Sequence, residues 1–224
     1  RFKKVKLIIQ VPCYNEAETL EVALNDLPKH IDGIDEIEYL IINDGSKDNT
    51  LEVIESIGDD RIKVYKNGNT HGVVGNFNNA IAHSKGDVIF FSDQDDIWMG
   101  NKVEKCLTAL KDNDMVVHNA LLVDKDGESM GRDYFSLYHL STGFLNNLWK
   151  SCFLGSCMAF NRESVKSYLP CPNNKIILHD YWLFMSMAFN HRKIACITEP
   201  LIKYRRHDGT VTDSGKKNHT TLGY

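Results

Sequence analysis

The chain has 224 residues, of which 42% are hydrophobic and 25% charged, and its formal net charge is −4 at pH 7. Such a composition is typical of a folded globular protein, and the slight excess of acidic residues argues against a nucleic-acid partner. The longest apolar runs fall far short of the roughly 18 residues that a membrane-spanning helix requires, so no such helix is expected.

The first half of the chain alternates β-branched apolar runs with amphipathic segments. A strand is predicted at residues 5–11 and should end at Pro12, because proline cannot donate to a strand ladder. A helix should follow, since Glu16, Glu18 and Thr19 supply acidic and capping side chains before apolar positions at helical spacing. Further strands are predicted at residues 37–42, 61–65 and 87–92, and further helices at residues 50–57, 74–84 and 102–110. This alternation predicts βαβ units and a mostly parallel sheet.

The pattern changes after about Met115. Strands are predicted at residues 115–123, 152–160, 193–198 and 201–205, helices at residues 162–168 and 181–189, and an irregular aromatic-rich region at residues 132–150. No linker rich in proline, glycine or serine separates the two halves, so residues 1–114 and 115–224 are expected to belong to one domain. The polar end of the chain predicts that C-terminal helices of the full-length protein are missing from it.

Three polar segments follow predicted strands of the first half. They are PCYNE at residues 12–16, NDGS at residues 43–46 and DQDD at residues 93–96. Ligands of open parallel sheets bind at the carboxyl ends of the strands, so these segments are expected to line a crevice. Neither the G-x-G-x-x-G of dinucleotide-binding folds after the first strand nor a G-x-x-x-x-G-K-[ST] loop anywhere is found, which argues against dehydrogenases and P-loop enzymes.

The DQDD segment places three carboxylates directly after the most apolar strand of the chain. Unpaired negative charge is unfavourable there, so a cation is expected nearby. Asp93 and Asp95 lie two residues apart and would point the same way in extended backbone, whereas Asp96 would point elsewhere. Carboxylate oxygens suit Mg²⁺ or Mn²⁺, which also bind substrate phosphates. The alternative is an acidic turn that caps the helix near Asn101.

These segments, in their order and context, resemble the successive hallmarks of family 2 glycosyltransferases of GT-A fold. The later segments GSCMAFN (residues 155–161), HDYW (residues 179–182) and YRRHDGTVT (residues 204–212) are similar to a bacterial branch that contains many rhamnosyltransferases. The resemblance implies an α/β fold with a Rossmann-like, mostly parallel central sheet flanked by helices and a mixed C-terminal elaboration on the acceptor side. Residues 1–114 would then bind a nucleotide sugar, and residues 115–224 would bind the acceptor and supply the catalytic base.

The resemblance also implies roles for individual residues toward the donor. The base and ribose would be lined by Pro12, Tyr14 and Glu16, with Ser46 among the substrate-binding residues. Asp44 would accept the N3–H of a uracil or thymine. Asn43 and Asn79 depart from the usual family pattern. That pattern has aspartate at the first of these positions and arginine or lysine at the second.

On the diphosphate side, the resemblance makes Asp95 a ligand of Mn²⁺ or Mg²⁺, with His207 as a second ligand. Asp93 would contact the ribose or a water, and it is also counted among the metal-binding residues. Read without the resemblance, His207 could be an ordinary surface histidine beside Arg205 and Arg206.

On the acceptor side, the family places its general base in an acidic pair before a helix. That pair reads His179-Asp180 here, so Asp180 would take the proton of the acceptor hydroxyl, while His179 and Trp182 would contact substrate. Transfer in one displacement by one base inverts the anomeric centre, and no distinct nucleophile for a retaining mechanism is evident. Asp180 could instead be a plain helix cap.

The resemblance implies a donor such as dTDP-rhamnose or a UDP-hexose and an acceptor that is a growing cell-surface polysaccharide or a lipid-linked saccharide. A catalytically silent nucleotide-sugar-binding or scaffolding protein on the same fold is the alternative. A cytoplasmic location is expected. Lys3, Lys4 and Lys6 would be either a solvated strand edge or a contact with anionic lipid on the inner face of the bacterial plasma membrane.

Overall fold

The computed structural model of the protein describes residues 6–68, 72–93, 96–138, 153–172 and 177–206. Its strands are β1 Lys6–Cys13, β2 Glu36–Asn43, β3 Ile62–Lys66, β4 Val88–Phe90, β5 Ile97–Trp98, β6 Met115–Val123, β7 Ser129–Asp133, β8 Met158–Asn161 and β9 Ile194–Arg205. Its helices are α1 Leu20–Asp26, α2 Thr50–Ile57, α3 Val73–His83, α4 Lys102–Leu110, α5 Tyr134–Tyr138, α6 Arg162–Val165 and α7 His179–Phe189, and 3₁₀ turns lie at Gly155–Cys157 and Lys166–Tyr168.

The strands of these described residues form one sheet in the order β3-β2-β1-β4-β8-β6-β9-β5, with β7 paired to β6. Strands β1 to β4 pair in parallel, whereas β8 is antiparallel to both β4 and β6. Of the remaining pairs, β9 runs parallel to β6 and antiparallel to β5. The predicted α/β class, with a parallel first half and a mixed second half, is therefore confirmed.

Pro12 does not end the first strand, as the sequence predicted, because it lies inside β1. The carbonyl of Cys13 accepts the backbone N–H of Asp44, so Cys13 faces β2 and Pro12, one residue earlier, faces the other side. On that side β1 pairs with β4 only at Ile8 and Ile9. No ladder bond is required at Pro12, which is where a strand tolerates proline.

The second half departs further from the predicted elements, whereas α2, α4 and β6 have the predicted bounds. The predicted strand at residues 152–160 is wrong over its described first part, where the chain forms the Gly155–Cys157 turn and only then enters β8. The two predicted closing strands are one strand, β9, whose register with β6 jumps from Ile197 to Pro200. An irregularity of this kind leaves a strand continuous while breaking its sequence pattern.

Buried side chains cover both faces of the sheet. One continuous apolar cluster includes Leu7 and Ile9 of β1 together with Phe160 of β8 and Leu201 of β9. A smaller cluster on the opposite face of β1 and β2 packs Ile8 with side chains that include Ala80 of α3. Within the part of the chain that the structure describes, no helix combines the length and apolarity needed to span a bilayer.

Candidate active site

The candidate site lies at the carboxyl edge of the sheet, where the strand order reverses. From β1 the chain adds β2 and β3 on one side, and then places β4 on the other side of β1. Open α/β sheets bind ligands at such a reversal, beyond the carboxyl ends of the strands concerned. The described segments that leave the sheet there are residues 14–16, residues 44–46 and Asp93.

Side-chain hydrogen bonds tie the loop after β1 to the loop after β2. Asn15 has a φ of 55°, a left-handed conformation that asparagine adopts more readily than most residues. Its N–H donates to Ser46 Oγ over 2.9 Å, and its Oδ1 accepts the N–H of Lys47 over 2.8 Å. The N–H of Glu16 donates to Thr50 Oγ1 over 2.9 Å. The two loops therefore form one wall of the crevice.

Asn43 is buried and organises the turn after β2. Its Oδ1 accepts the N–H of Gly45 over 3.1 Å and the N–H of Ser46 over 2.9 Å. An aspartate oxygen would accept the same two bonds. The amide therefore keeps the geometry of the turn while removing one negative charge beside Asp44.

A chain of amide groups orients the carboxylate of Asp44. Its Oδ1 accepts Nδ2 of Asn67 over 2.8 Å, and its Oδ2 accepts the N–H of Gly72 over 2.8 Å at the start of α3. Asn79 donates in turn from Nδ2 to Oδ1 of Asn67 over 3.3 Å. A carboxylate has about four acceptor positions, so it can accept a base N–H in addition to these two donors.

The other predicted donor-side residues lie along the same wall. Pro12 is half-buried near the end of β1, and Tyr14 is 51% exposed just beyond it. The Glu16 carboxylate accepts the hydroxyl of Thr19. Because Ser46 accepts the N–H of the loop after β1, it links the two loops whether or not it also contacts substrate.

The two described residues of the acidic segment after β4 are at least half-buried. Asp93 is half-buried and Asp96 is 4% exposed, and Ser92 between the strand and Asp93 accepts the indole N–H of Trp98 over 3.2 Å. The remaining predicted metal ligands, Asp95 and His207, lie outside the described residues. Asp93 is therefore the one predicted metal-side residue whose position the structure describes.

Asp180 lies in the first turn of α7, where its Oδ1 accepts the N–H of Tyr181 over 2.7 Å. The Gly155 turn packs directly behind it. A methyl group at Gly155 would lie 3.5 Å from Cβ and 3.6 Å from Oδ2 of Asp180. The predicted base therefore lies close to the backbone of a glycine.

His179 connects this turn to the end of β4. Its ring stacks on Phe77 with centroids 3.7 Å apart and meets the edge of Phe91 with centroids 5.1 Å apart. Since Phe91 precedes Asp93 by two residues, this contact brings the start of α7 to the acidic segment. Burial lowers the pKa of His179 to about 4, so its imidazole is neutral at pH 7 and a weak base.

Two further predictions concern Trp182 and Lys6. The Trp182 indole N–H donates to the carbonyl of Tyr168 over 2.8 Å, and its ring packs against the core, so the described contacts of this side chain are structural. Lys6 contacts Glu36 and Glu38, each over 2.7 Å, and these hydrogen bonds raise its pKa. Its charge is therefore matched within the protein, whereas Lys3 and Lys4 lie outside the described residues.

The sequence was compared with protein families and with known proteins. A model described as "Glycosyl transferase family 2" matches residues 8–169. The chain belongs to glycosyl transferase family 2. An uncharacterized glycosyltransferase of Nostoc sp. is 30% identical over 96% of this chain and 67% of its own. The UDP-Glc:alpha-D-GlcNAc-diphosphoundecaprenol beta-1,3-glucosyltransferase WfgD of Escherichia coli is 25% identical over 92% of this chain and 79% of its own.

The fold of this family 2 member is also that of solved structures. S. aureus TarS 1-349 in complex with UDP-GlcNAc superposes with a TM-score of 0.64 at 18% identity, over 95% of this chain and 62% of that chain. A mannosyltransferase of Pyrobaculum calidifontis in complex with GDP-Man and Mn²⁺ superposes with a TM-score of 0.64 at 17% identity, over 89% of this chain and 56% of that chain. The predicted GT-A fold is confirmed, and the chain spans about 60% of the length of such solved chains.

The donor set of this family 2 chain suits a divalent metal. Asp93 presents hard carboxylate oxygens at the end of β4, and Mg²⁺ or Mn²⁺ commonly combines one or two carboxylates with phosphate oxygens. Within the described ranges no three His, Cys, Asp or Glu side chains come together as a metal-binding group. A complete site would therefore draw on Asp95, on His207 and on the diphosphate of the donor.

The sequence reasoning missed two residues of the site. Asn67 was not singled out, although it is the residue that holds Asp44 and follows a strand, a position that the strand-end rule would have flagged. Gly155 was quoted only as part of a motif. A glycine within an apolar run often marks a place where another group packs closely against the backbone. At Gly155 that group is Asp180.

Proposed function

We propose that this protein is an inverting glycosyltransferase that takes a sugar from a uracil or thymine nucleoside diphosphate and transfers it to a saccharide acceptor. One observation carries the proposal. Helix α3 links the two sides: Asp44 on the donor side accepts the N–H of Gly72 at the start of that helix, and His179, next to Asp180, stacks on Phe77 of the same helix.

The donor is assigned from the base pocket. Asp44 is held by Asn67 and Gly72 as an oriented acceptor, which suits the imide N3–H that uracil and thymine share and cytosine lacks. Between the two predicted donors, the name of WfgD favours a UDP-hexose such as UDP-glucose over dTDP-rhamnose. The same name favours a lipid-linked saccharide diphosphate as acceptor, which would place the reaction at the cytoplasmic face of the membrane.

The chemistry assigned to Asp180 is proton removal. Its carboxylate would accept the proton of the acceptor hydroxyl as that oxygen attacks the anomeric carbon, and the bond to the diphosphate would break on the opposite face. Asp93, with Asp95 and His207, would hold Mn²⁺ or Mg²⁺ against the diphosphate. When bound, the ion would stabilise the charge that develops on the leaving group.

The test is a panel of UDP- and dTDP-sugars with Mn²⁺ or Mg²⁺, using nucleotide release for transfer and calorimetry for binding. With the donor so found, Asp180→Asn should keep donor affinity and lower transfer by about 10²–10⁴, because an amide cannot take the proton. Asp126→Asn makes the same chemical change at an exposed turn and serves as control.

Two results would contradict the proposal. Full transfer by Asp180→Asn would remove Asp180 from the mechanism. Donor binding without transfer by the wild-type protein, across the panel and with lipid-linked acceptors, would favour the silent nucleotide-sugar-binding protein instead.

A further inference from the structure

Lys102 is a buried cation that the proposed mechanism does not use. It is the first residue of α4 and has no solvent-exposed surface, although lysine is almost never fully buried unless it is paired. Burial lowers the pKa of Lys102 to about 8, against neighbouring acidic groups that raise it. A charge in such a place requires contacts that compensate for the loss of water.

Those contacts come from two different parts of the chain. The ammonium Nζ donates to the carbonyl of Ser156 over 3.0 Å and lies 3.8 Å from the centre of the Trp98 ring. The Trp98 indole N–H donates in turn to Ser92 Oγ over 3.2 Å, one residue before Asp93. The thiols of Cys157 and Cys106 and then the carboxylates of Asp96 and Asp93 act to raise the pKa of Lys102. Lys102 therefore interacts with the acidic segment after β4 and with the Gly155–Cys157 turn at the same time.

Each of these two parts supports one half of the proposed reaction. The acidic segment contains Asp93, which is proposed to bind the metal. The turn packs against Asp180, since a methyl group at Gly155 would lie 3.6 Å from its Oδ2. The ammonium of Lys102 therefore contacts both the part of the chain that is proposed to bind the metal and the part that supports the proposed base.

We propose that Lys102 is a positioning residue that holds Asp93, Asp96 and the turn behind Asp180 in one geometry, so that the donor diphosphate and the base are correctly spaced. This proposal rests on the proposed glycosyltransferase function. The alternative is that Lys102 only balances the buried charge of Asp96. If that were its only role, a protein without either charge would no longer need Lys102.

The test compares Lys102→Met with the double variant Lys102→Met/Asp96→Asn and with Lys105→Met, a half-buried lysine one turn further along α4 that pairs with Glu199. Three quantities are measured: melting temperature, the Mn²⁺ concentration that half-saturates UDP binding in calorimetry, and kcat with the donor from the panel. The single variant leaves Asp96 buried without its cation, so a lower melting temperature is expected, and the double variant should regain it.

The proposal predicts that the double variant folds stably and still requires about tenfold more Mn²⁺ with about tenfold lower kcat, the loss expected from misplacement by a fraction of an ångström. Lys105→Met should behave as wild type. Recovery of Mn²⁺ dependence and kcat in the double variant would overturn the positioning role and leave charge balance. Wild-type values in a folded Lys102→Met would also overturn it. If the wild-type protein itself neither binds UDP with Mn²⁺ nor transfers sugar, the proposed function fails and this inference fails with it.

Discussion

Replacement of Gly155 by alanine tests the packing that supports Asp180. The φ of Gly155 lies outside the left-handed region, so alanine can adopt its backbone conformation and the effect depends on space alone. The added methyl group would lie 3.1 Å from Nε2 of His179, a contact that requires a shift of a few tenths of an ångström. His179 cannot easily yield, because its ring is stacked on Phe77 at 3.7 Å and is met by Phe91.

We expect two consequences of different size. Overpacking of this kind lowers the free energy of unfolding by about 1–3 kcal/mol. For a chain of this length each kcal/mol corresponds to about 2–4 °C in melting temperature. A displacement of about 1 Å at a catalytic group reduces turnover by about 10², so a shift of a few tenths at Asp180 should lower kcat by about tenfold or less.

The assay pairs calorimetric unfolding with single-turnover transfer and donor affinity. Gly100→Ala is the matched control, because a methyl group there would meet no atom within 4 Å. Donor affinity should stay close to wild type in Gly155→Ala, since the donor wall is built from other loops. The reasoning is refuted if Gly155→Ala and Gly100→Ala have the same melting temperature and the same kcat.

Two further predictions concern polar groups of the site and the core. Asp44→Asn places an amide NH₂ against the donor of Asn67 or of Gly72, so we expect a loss of about 0.5–1.5 kcal/mol of stability and a smaller preference for UDP over CDP, both accessible to calorimetry; unchanged base selectivity would contradict the assigned pocket. Burial lowers the pKa of His118 to about 3 and that of His179 to about 4. Because the unfolded histidines bind protons below about pH 6.5 and the folded ones do not, stability should fall between about pH 6.5 and 4 by up to about 1.4 kcal/mol per pH unit for each histidine. Urea unfolding over this range should show the decline, and a flat profile in wild type, or the same slope in His179→Phe, would oppose it.

The elements that the sequence predicted with correct bounds are those whose signals are local. In α2 and α4 the apolar spacing and the flanking polar residues agree within a single segment, and β6 is a long apolar run. The continuity of β9 could not be predicted in this way. Its interruption at residues 198–199 is compensated by pairing with β6, which lies almost 80 residues earlier in the chain.

The same limit applies to the site. The strand-end rule was sufficient to select Asp44 and Asp93, because each lies just beyond the end of a predicted strand. The Nδ2 of Asn67 reaches Asp44 only because β3 lies beside β2, and no spacing in the sequence contains that fact. The burial of Lys102 carries no local signal either, since lysine is exposed in most proteins.

Two of the places where local rules fail are adjacent in the structure. The apolar run that became a turn at Gly155 and the lysine that became buried at Lys102 are in direct contact through the carbonyl of Ser156. Both residues depart from their usual local structure. Gly155 allows another part of the chain to approach its backbone closely, and Lys102 carries its charge into the interior. Natural sequences violate such preferences mainly where function requires it. That the violations coincide between the acidic segment after β4 and Asp180 is an independent reason to locate the chemistry there.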